Sequence, residues 1–244
     1  MAFERALADA CKPRVWRVRA ACPSVELERH LRALDETERT RAARFRQSDD
    51  RVRFVLGRSS LRRLLSWQLG LEADTLVFGA NAFGKPFLLS PNRPLHFNSS
   101  HSGEWILHAF DKVASVGIDV EAVRPAFARS ADFSVALSPE ELRRMGELPQ
   151  KDRARALART WVSKEAYLKA LGEGLSRAPQ QIAIRTDPEG KCSLLYDRNV
   201  PRAPGEWAFH DIPLDANHVA CLVTCSPHRQ NAASRVPEIR DFQF

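Results

Sequence analysis

The order of local patterns along the chain is the feature that most constrains its fold. Helical periodicity extends over about residues 25–71, and short strand-like runs follow over residues 76–121. The same order returns later, where a helical pattern over residues 153–171 ends at Gly172 and four strand-like runs come after it. Because the order of helices followed by strands occurs twice, the sequence predicts an α+β fold of two similar halves with a boundary near residues 112–115.

Composition and charge indicate a globular protein that binds an acidic partner. The chain has 244 residues and is 44% hydrophobic, which is enough for one large domain or two small ones. Its formal charge of +7 predicts an acidic partner, such as nucleic acid, phosphate groups or an acidic protein surface. Because no apolar run resembles a membrane span or a secretory signal, we expect a cytoplasmic protein without a membrane partner. The five cysteines lack CxxC spacing, so we expect reduced residues that pack in the core.

Residues 115–121, SVGIDVE, predict a strand with two acids on one face. Aliphatic residues alternate with Gly117, Asp119 and Glu121, so a period of two places both carboxylates together. At a separation of roughly 7 Å, two ionised carboxylates repel only weakly in water, which allows a solvated edge. The alternative is a divalent cation between them, because Mg²⁺ favours carboxylate oxygens. The strand alone leaves both hypotheses open.

Two loops contain candidate phosphate ligands. Residues 79–86 have the G-x-x-x-x-G-K spacing of a P-loop, but Pro86 stands where that motif needs a Ser or Thr hydroxyl for Mg²⁺. A glycine turn between strands with an exposed lysine is therefore the favoured interpretation, and Lys85 could reach a phosphate as a single charge. Residues 98–103 place His101 among serine hydroxyls, which suits an anion site and a simple turn equally well.

The segment 161–169, WVSKEAYLK, is the most informative helix. Trp161, Glu165 and Lys169 recur every four positions and share one stripe, where the aromatic ring would draw both charges toward the interior. The plain alternative is a surface Glu–Lys pair, which is common on helices. Upstream, Ser138 and Glu141 have the spacing of a helix capping box.

Five motifs, in the same order and at similar spacing, resemble those of the Sfp-type 4′-phosphopantetheinyl transferases. The resemblance extends over roughly residues 25–225, and a single one of these motifs would be a weak signal. The motifs are ERTRAARF at 38–45, FGKP at 83–86, HFNSSHSGEW at 96–105, GIDVE at 117–121 and WVSKEAYLKALGEGL at 161–175.

The resemblance implies an enzyme that transfers 4′-phosphopantetheine from coenzyme A to a serine of an apo acyl or peptidyl carrier protein. It implies Mg²⁺ as the cofactor, coenzyme A as the co-substrate and adenosine 3′,5′-bisphosphate as the second product. Such carriers serve fatty acid, polyketide or nonribosomal peptide synthesis. The implied fold is α+β with two similar halves in pseudo-twofold relation, each with helices packed on a small, mainly antiparallel sheet, and the active site between them.

This fold predicts how the chain is divided. We expect an N-terminal half of residues 1–113, which contacts the phosphates of coenzyme A, and a C-terminal half of residues 114–244, which binds the metal. The stretch from about residue 226 is polar and predicts a loosely attached tail. Because both halves of the site would come from one chain, we expect a monomer.

Carried over residue by residue, the resemblance implies a role for each matching side chain. Asp119, Glu121 and Glu165 would surround the metal ion. Glu165 would also be the base toward the carrier serine, while Lys169 would stabilise the pyrophosphate. Glu38 stands where the family often has a second basic residue. The contacts with coenzyme A would come from Arg41, Arg53, Lys85, Ser100, His101, Lys164 and Lys169.

Two other classes of function remain open from the residues themselves. A basic nucleic-acid-binding protein would use the arginines of residues 29–63, although acidic residues are interleaved with them. Another Mg²⁺-dependent enzyme, such as a phosphohydrolase or a nuclease, would use the same three carboxylates. The resemblance favours the transferase, without a nucleic-acid partner.

Overall fold

Helices and short strands alternate in the computed structural model, which describes residues 12–21, 24–91, 94–124, 135–173, 177–187, 189–199, 206–225 and 235–244. No helix in these ranges is long and apolar enough to cross a membrane. The helices are α1 (Ser24–Arg32), α2 (Glu36–Ala43), α3 (Ser48–Leu69), α4 (Pro139–Glu147) and α5 (Gln150–Leu171), with 3-10 turns at Ala73–Thr75 and Pro179–Gln181. The strands are β1 (Arg14–Arg19), β2 (Val77–Ala80), β3 (Pro86–Ser90), β4 (His96–Ser102), β5 (Trp105–Asp111), β6 (Val116–Ala122), β7 (Ile182–Thr186), β8 (Cys192–Asp197), β9 (Trp207–Asp211), β10 (His218–Cys225) and β11 (Glu238–Phe242).

The strands form two small sheets and two hairpins. One sheet has the order β11-β1-β5-β4 and the other the order β6-β10-β9, while β2 pairs with β3 and β7 with β8. Among the described strands every pair is antiparallel except β1 with β11. The predicted α+β fold with small, mainly antiparallel sheets is therefore confirmed.

The chain passes through one order of elements twice. The first series begins with β1, continues through helices α1, α2 and α3 and the β2–β3 hairpin, and ends with β4 and β5, of which β5 pairs with β1. The second begins with β6, continues through helices α4 and α5 and the β7–β8 hairpin, and ends with β9 and β10, of which β10 pairs with β6. The last helix of each series, α3 or α5, has 22 residues. Both long helices end at a glycine with positive φ, Gly70 at 66° and Gly172 at 81°. The N–H of each glycine bonds to the carbonyl four residues before it, on Ser66 or Leu168, which closes the last turn.

Helix α5 lies directly on β6 and forms the core of the C-terminal region. Its buried face includes Ala158, Val162 and Ala166, which pack with residues of β7, β9 and β10. Gly117 of β6 has no side chain, and a Cβ atom there would overlap with Ala166 O and Ala170 N of the helix. The glycine therefore allows the backbones of α5 and β6 to come into direct contact.

The C-terminal residues 235–244 are held to the first sheet by β11 and by Arg235, so the prediction of a loosely attached tail is wrong for them. β11 pairs in parallel with β1, and Phe242 packs edge-on against Trp16 with ring centroids 6.3 Å apart. Arg235 forms an ion pair with the buried Asp111 at 2.7 Å. Sequence patterns did not indicate these contacts because they join residues far apart in the chain. Residues 226–234 of the predicted tail lie outside the described residues.

We predict that Gly117→Ala lowers the free energy of unfolding by about 3 kcal/mol, because the new methyl group must push α5 away from β6. Urea denaturation measures this change. Gly146→Ala is the matched control, since a Cβ at this helical position meets no atom within 4 Å and alanine favours the helix by up to about 1 kcal/mol. Equal stabilities of the two variants would contradict the direct packing of α5 on β6.

We also predict that Phe242→Ala lowers the free energy of unfolding by about 2 kcal/mol, because the ring packs against Trp16 and the neighbouring core cluster. Val236→Ala is the control, because Val236 is 63% exposed and should change stability by less than about 0.5 kcal/mol. Thermal or urea denaturation tests both variants. If the tail were loosely attached, Phe242→Ala would change the free energy of unfolding as little as Val236→Ala does.

Candidate active site

The two acids of β6 are buried against β4 and α5 rather than exposed at a solvated edge. Asp119 is 4% exposed, and its Oδ1 accepts hydrogen bonds from Ser100 Oγ at 2.7 Å and from Lys169 Nζ at 2.6 Å. Glu121 is partly buried, and its Oε2 accepts a hydrogen bond from Ser102 Oγ at 2.8 Å. The solvated-edge alternative is therefore wrong, and each carboxylate has a polar partner from another element.

Helix α5 brings a further carboxylate and a cation to this cluster. Trp161, Glu165 and Lys169 are all partly buried, as the stripe in the sequence predicts. Lys169 Nζ contacts Ser100 Oγ at 3.3 Å in addition to its ion pair with Asp119. Because Lys169 pairs with β6 across the helix–sheet contact, the alternative of a surface Glu–Lys pair does not hold.

Burial makes the acidic cluster electrostatically unfavourable without a further cation. Desolvation raises the pKa of Glu121; the hydrogen bond from Ser102 opposes this, and the charge of Asp119 adds to it. Desolvation likewise raises the pKa of Glu165, against the influence of Lys169 and together with that of Asp119 and Glu121. Two buried oxygens, Asp119 Oδ2 and Glu165 Oε1, have no hydrogen-bond partner among the described residues. The cluster therefore has acceptors that a cation would satisfy.

These residues fit a hard divalent cation that brings further oxygen ligands with it. Mg²⁺ commonly binds one or two carboxylates together with waters and substrate phosphates. Within the described ranges, no three His, Cys, Asp or Glu side chains converge closely enough to hold a metal ion by themselves. Asp119, Glu121 and Glu165 thus fit as part of a coordination sphere, and a closed cage of three carboxylates is not preformed.

His101 and Arg53 lie together on the side of β4 that faces helix α3. Neighbouring residues of a strand point to opposite faces, so Ser100 contacts β6 while His101 is turned away from it. Desolvation lowers the pKa of His101, and the charges of Arg53 and Lys169 lower it further. Arg41, the third predicted phosphate ligand of this region, is exposed on α2, with its guanidinium 5.1 Å from the ring centroid of Phe54.

Lys85 connects the β2–β3 hairpin to the C-terminal region. Its Nζ donates to Ser115 Oγ and to the carbonyls of Val116 and Ala170 at 3.3, 3.2 and 3.4 Å. Burial lowers its pKa to about 8. The predicted glycine turn is confirmed, since Gly84 has a φ of 83° and lies between the paired strands. The expectation of an exposed lysine is wrong, because Lys85 is partly buried. A phosphate would have to compete with the three protein acceptors of Lys85.

Lys164 occupies a different position from the one that the resemblance implied. The side chain is fully buried, and its Nζ donates to Glu141 Oε2 at 2.5 Å and to the carbonyls of Ala136 and Pro179 at 2.7 and 3.0 Å. Five positions separate it from Lys169, which turns the two side chains about 140° apart around the helix. With all three ammonium hydrogens engaged, Lys164 anchors α4 to α5 and is not placed to contact coenzyme A.

Glu38, which stands where the family often has a basic residue, is a buried structural anchor. It completes a capping box with Asp35 at the start of α2 and forms ion pairs with Arg58 and Arg62 of α3. Arg62 is 2% exposed and also pairs with Asp35 at 2.5 Å. Because each charge in this network has a partner, Glu38 stabilises the packing of α2 on α3 and is not oriented toward an anion.

Two residues of β4 that hold β6 in place were not indicated by any sequence motif. Asn98 Oδ1 accepts a hydrogen bond from the N–H of Ile118 at 2.9 Å, and Ser102 Oγ donates to Glu121. The available signal was the alternation of Asn98, Ser100 and Ser102, which puts three polar side chains on one face of a strand. Such a face needs polar partners, but the sequence does not say on which strand they lie.

Two family models and several known proteins match the sequence of this chain. A model of the 4′-phosphopantetheinyl transferase superfamily matches residues 115–223, and one for the N-terminal region of 4′-phosphopantetheinyl transferases matches residues 21–112. The 4′-phosphopantetheinyl transferase HetI of Nostoc sp. is 31% identical over 210 residues, 85% of this chain and 85% of HetI. The 4′-phosphopantetheinyl transferase Sfp of Bacillus subtilis is 29% identical over 185 residues, 72% of this chain and 77% of Sfp.

These matches show that the protein is a transferase. The chain belongs to the Sfp-type 4′-phosphopantetheinyl transferases, which confirms the resemblance seen in the motifs. The two matched regions meet between residues 112 and 115, next to the start of β6. Residues of both regions therefore contribute to the acidic cluster, Ser100 from the first and Asp119 from the second.

We predict that Lys164→Ala lowers the free energy of unfolding by about 4 kcal/mol, because it leaves the buried carboxylate of Glu141 without its cation. Lys151→Ala, at an exposed position on the same helix, should change it by less than about 0.5 kcal/mol. Urea denaturation measures stability, and isothermal titration calorimetry below the transition measures coenzyme A affinity. If Lys164→Ala has normal stability but has lost affinity for coenzyme A, Lys164 contacts coenzyme A and the structural role given to it here is wrong.

Proposed function

We propose that this chain transfers the 4′-phosphopantetheine group of coenzyme A to a serine hydroxyl of an apo acyl or peptidyl carrier protein. Membership of the transferase family supports this reaction. The observation that carries it is the buried cluster in which Asp119 pairs with Lys169 beside an unpartnered oxygen of Glu165. Adenosine 3′,5′-bisphosphate is the second product, and the carriers belong to fatty acid, polyketide or nonribosomal peptide synthesis.

The reaction is a displacement at the phosphorus atom that bears the pantetheine chain. The serine oxygen forms a P–O bond to this atom while the bond to the bridging pyrophosphate oxygen breaks, and adenosine 3′,5′-bisphosphate leaves with that oxygen. Glu165 accepts the serine proton, for which its buried, unpartnered Oε1 is available. Lys169 neutralises negative charge on the pyrophosphate as the leaving group departs.

Mg²⁺ is the cofactor that we assign to the acidic cluster. Asp119, Glu121 and Glu165 would hold it, in keeping with the two buried carboxylate oxygens that lack a partner among the described residues. When bound, it would neutralise the pyrophosphate and orient its oxygens. Ser100 and Ser102 keep the carboxylates of β6 in place by hydrogen bonds to Asp119 and Glu121.

Coenzyme A would bind through cations and hydroxyls on both sides of β4. His101 and Arg53 share one side, whereas Ser100 and Lys169 meet on the other. Lys85 would join them if one of its protein acceptors gave way to a phosphate oxygen, and Lys164 is left out because its ammonium group is engaged in the core. The proposed contacts are Arg41, Arg53, Lys85, Ser100, His101 and Lys169.

We further propose that the halves of residues 1–113 and 114–244 have an approximate twofold relation, with the active site between them. The repeated order of elements supports this arrangement. Side-chain bonds from β4 to β6 join the two sheets at the site. β11 departs from the repeat, because it comes from the C-terminal end of the chain and pairs with the sheet of the first half.

A cytoplasmic monomer suits this function. The cluster takes its side chains from β4, β6 and α5 of a single chain. Cys192, Cys221 and Cys225 are buried in the hydrophobic core, as expected of cysteines that pack in the core of a protein in a reducing compartment. Cys11 and Cys22 lie outside the described residues.

A nucleic-acid-binding function is not favoured, because several arginines of the basic segment have acidic partners within the protein. Arg39 pairs with Glu36, and Arg58 and Arg62 pair with Glu38 in the buried network described above. Such pairs reduce the number of cations that could contact a phosphate backbone. The partner expected for the remaining positive charge is the polyanionic coenzyme A together with an acidic carrier.

We predict that an apo carrier protein incubated with this protein, coenzyme A and Mg²⁺ gains the mass of one phosphopantetheine, as measured by intact-protein mass spectrometry. Glu165→Gln should lower kcat by at least about 100-fold, because it removes the proton acceptor. Chelation of the metal and Asp119→Asn should abolish the gain. Glu147→Gln is the matched control, since this glutamate is exposed on α4 and pairs with Arg143.

The outcomes separate the competing functions. Loss of activity in Glu165→Gln with normal activity in Glu147→Gln supports the proposed chemistry. An unmodified carrier together with release of phosphate or nucleotides would indicate another Mg²⁺-dependent enzyme. Full activity of Glu165→Gln would contradict the role given to this carboxylate.

A further inference from the structure

β4 and β6 are joined by side chains where two sheets meet without a backbone ladder. β4 is the edge strand of the first sheet and β6 the edge strand of the second. Asn98, Ser100 and Ser102 lie on the same face of β4, two residues apart, and each forms a hydrogen bond with β6. This row of three side chains, the β4 polar row, sets the position of the strand that bears the acids.

Each member of the β4 polar row acts on a different part of β6. Asn98 holds the backbone by accepting the N–H of Ile118. Ser100 contacts Asp119 and Lys169 and so belongs to the catalytic cluster itself. Ser102 contacts neither of these two residues in the described hydrogen bonds and reaches the site through Glu121.

The hydrogen bonds of Ser102 define the direction of its hydroxyl proton. Its Oγ accepts the backbone N–H of Ala122 at 3.1 Å and lies 2.8 Å from Glu121 Oε2. A hydroxyl has one proton, and Ala122 N–H is itself a donor, so the proton of Ser102 must point to the carboxylate. With Ser102 only 9% exposed, this bond is shielded from water and gives Glu121 one fixed orientation.

Without this bond, electrostatic forces and rotamer entropy favour orientations of Glu121 that point away from the cluster. The charge of Asp119 repels it, while the exposed Arg124, close enough to influence its ionisation, attracts it. A glutamate also has three side-chain torsions, so a lost anchor frees several rotamers. Loss of the Ser102 bond would therefore favour rotamers of Glu121 that turn away from Asp119.

We propose that Ser102 is a positioning residue that orients Glu121 for divalent-cation binding. Its role rests on the proposed function, because Glu121 is one of the residues assigned to Mg²⁺ there. It touches neither the reacting groups nor the metal directly, and it acts by selecting one rotamer of a ligand. Loss of such a group lowers metal affinity about 10- to 100-fold in metal sites.

The test measures divalent-cation binding separately from catalysis. Mn²⁺ binding is followed by electron paramagnetic resonance in the presence of coenzyme A, for the wild-type protein, Ser102→Ala and Ser102→Thr. Ser102→Ala should raise the Mn²⁺ dissociation constant at least about 10-fold, and Ser102→Thr, which keeps the hydroxyl, should restore it to within about threefold. In the transfer assay the Mg²⁺ concentration for half-maximal rate should rise in Ser102→Ala, while kcat at saturating Mg²⁺ falls much less.

Ser99→Ala is the matched control on the same strand. Ser99 lies on the opposite face of β4, where its Oγ contacts His108 Nδ1 at 2.7 Å, so its loss should leave Mn²⁺ affinity unchanged. If Ser102→Ala does not fold, Ser102→Cys keeps the volume with a weaker donor and should show the same direction of change.

A double-mutant comparison shows whether Ser102 acts through Glu121. In a Glu121→Gln background, Ser102→Ala should add little to the loss of Mn²⁺ affinity, because the group that it orients is already altered. Additive effects, or wild-type Mn²⁺ affinity in Ser102→Ala or in the Cys variant, would overturn the proposal, as would a wild-type protein that binds no Mn²⁺. Intact Mn²⁺ binding without carrier modification would overturn the proposed function alone.

Discussion

The direct contact of α5 with β6 is the constraint on which the rest of the site depends. Because Gly117 has no side chain, the helix backbone near Ala166 and Ala170 lies against the strand. Because the backbones of α5 and β6 are in contact, Lys169 Nζ lies 2.6 Å from Asp119 Oδ1. The same contact places Ala170 O within hydrogen-bond distance of Lys85 Nζ. A glycine in the middle of a strand has a cost in backbone entropy, which is offset here by the packing that it allows.

The site also depends on how buried carboxylates are stabilised. Removing a charge from water is strongly unfavourable unless hydrogen bonds and opposite charges compensate for it. Ser100, Ser102 and Lys169 provide this compensation for the acids of β6, and they come from two elements, β4 and α5, that both contact this strand. Two carboxylate oxygens still lack a partner in the described residues, which is the property expected of a site that takes up a cation together with an anionic substrate.

Two lysines of one motif show that a motif does not specify the surroundings of each of its residues. Lys164 and Lys169 lie on the same helix and match the same family signature, but one ends in the core on Glu141 and the other in the acidic cluster on Asp119. Glu141 was recognisable as part of a capping box, and the structure confirms this box with Ser138. Its second role as the partner of Lys164 depends on how α4 packs on α5, which no local pattern contains.

Sequence patterns were enough to predict the α+β class, the order of elements, the acid pair of β6 and the stripe that bears Glu165 and Lys169. These features follow from periodicity and from short motifs, which are properties of neighbouring residues. The partners of Ser102, the burial of Glu38 and the pairing of β11 with β1 could be seen only in the folded chain. Each of these is a contact between residues distant in the sequence, and such a contact depends on how whole elements pack, which no pattern of neighbouring residues specifies.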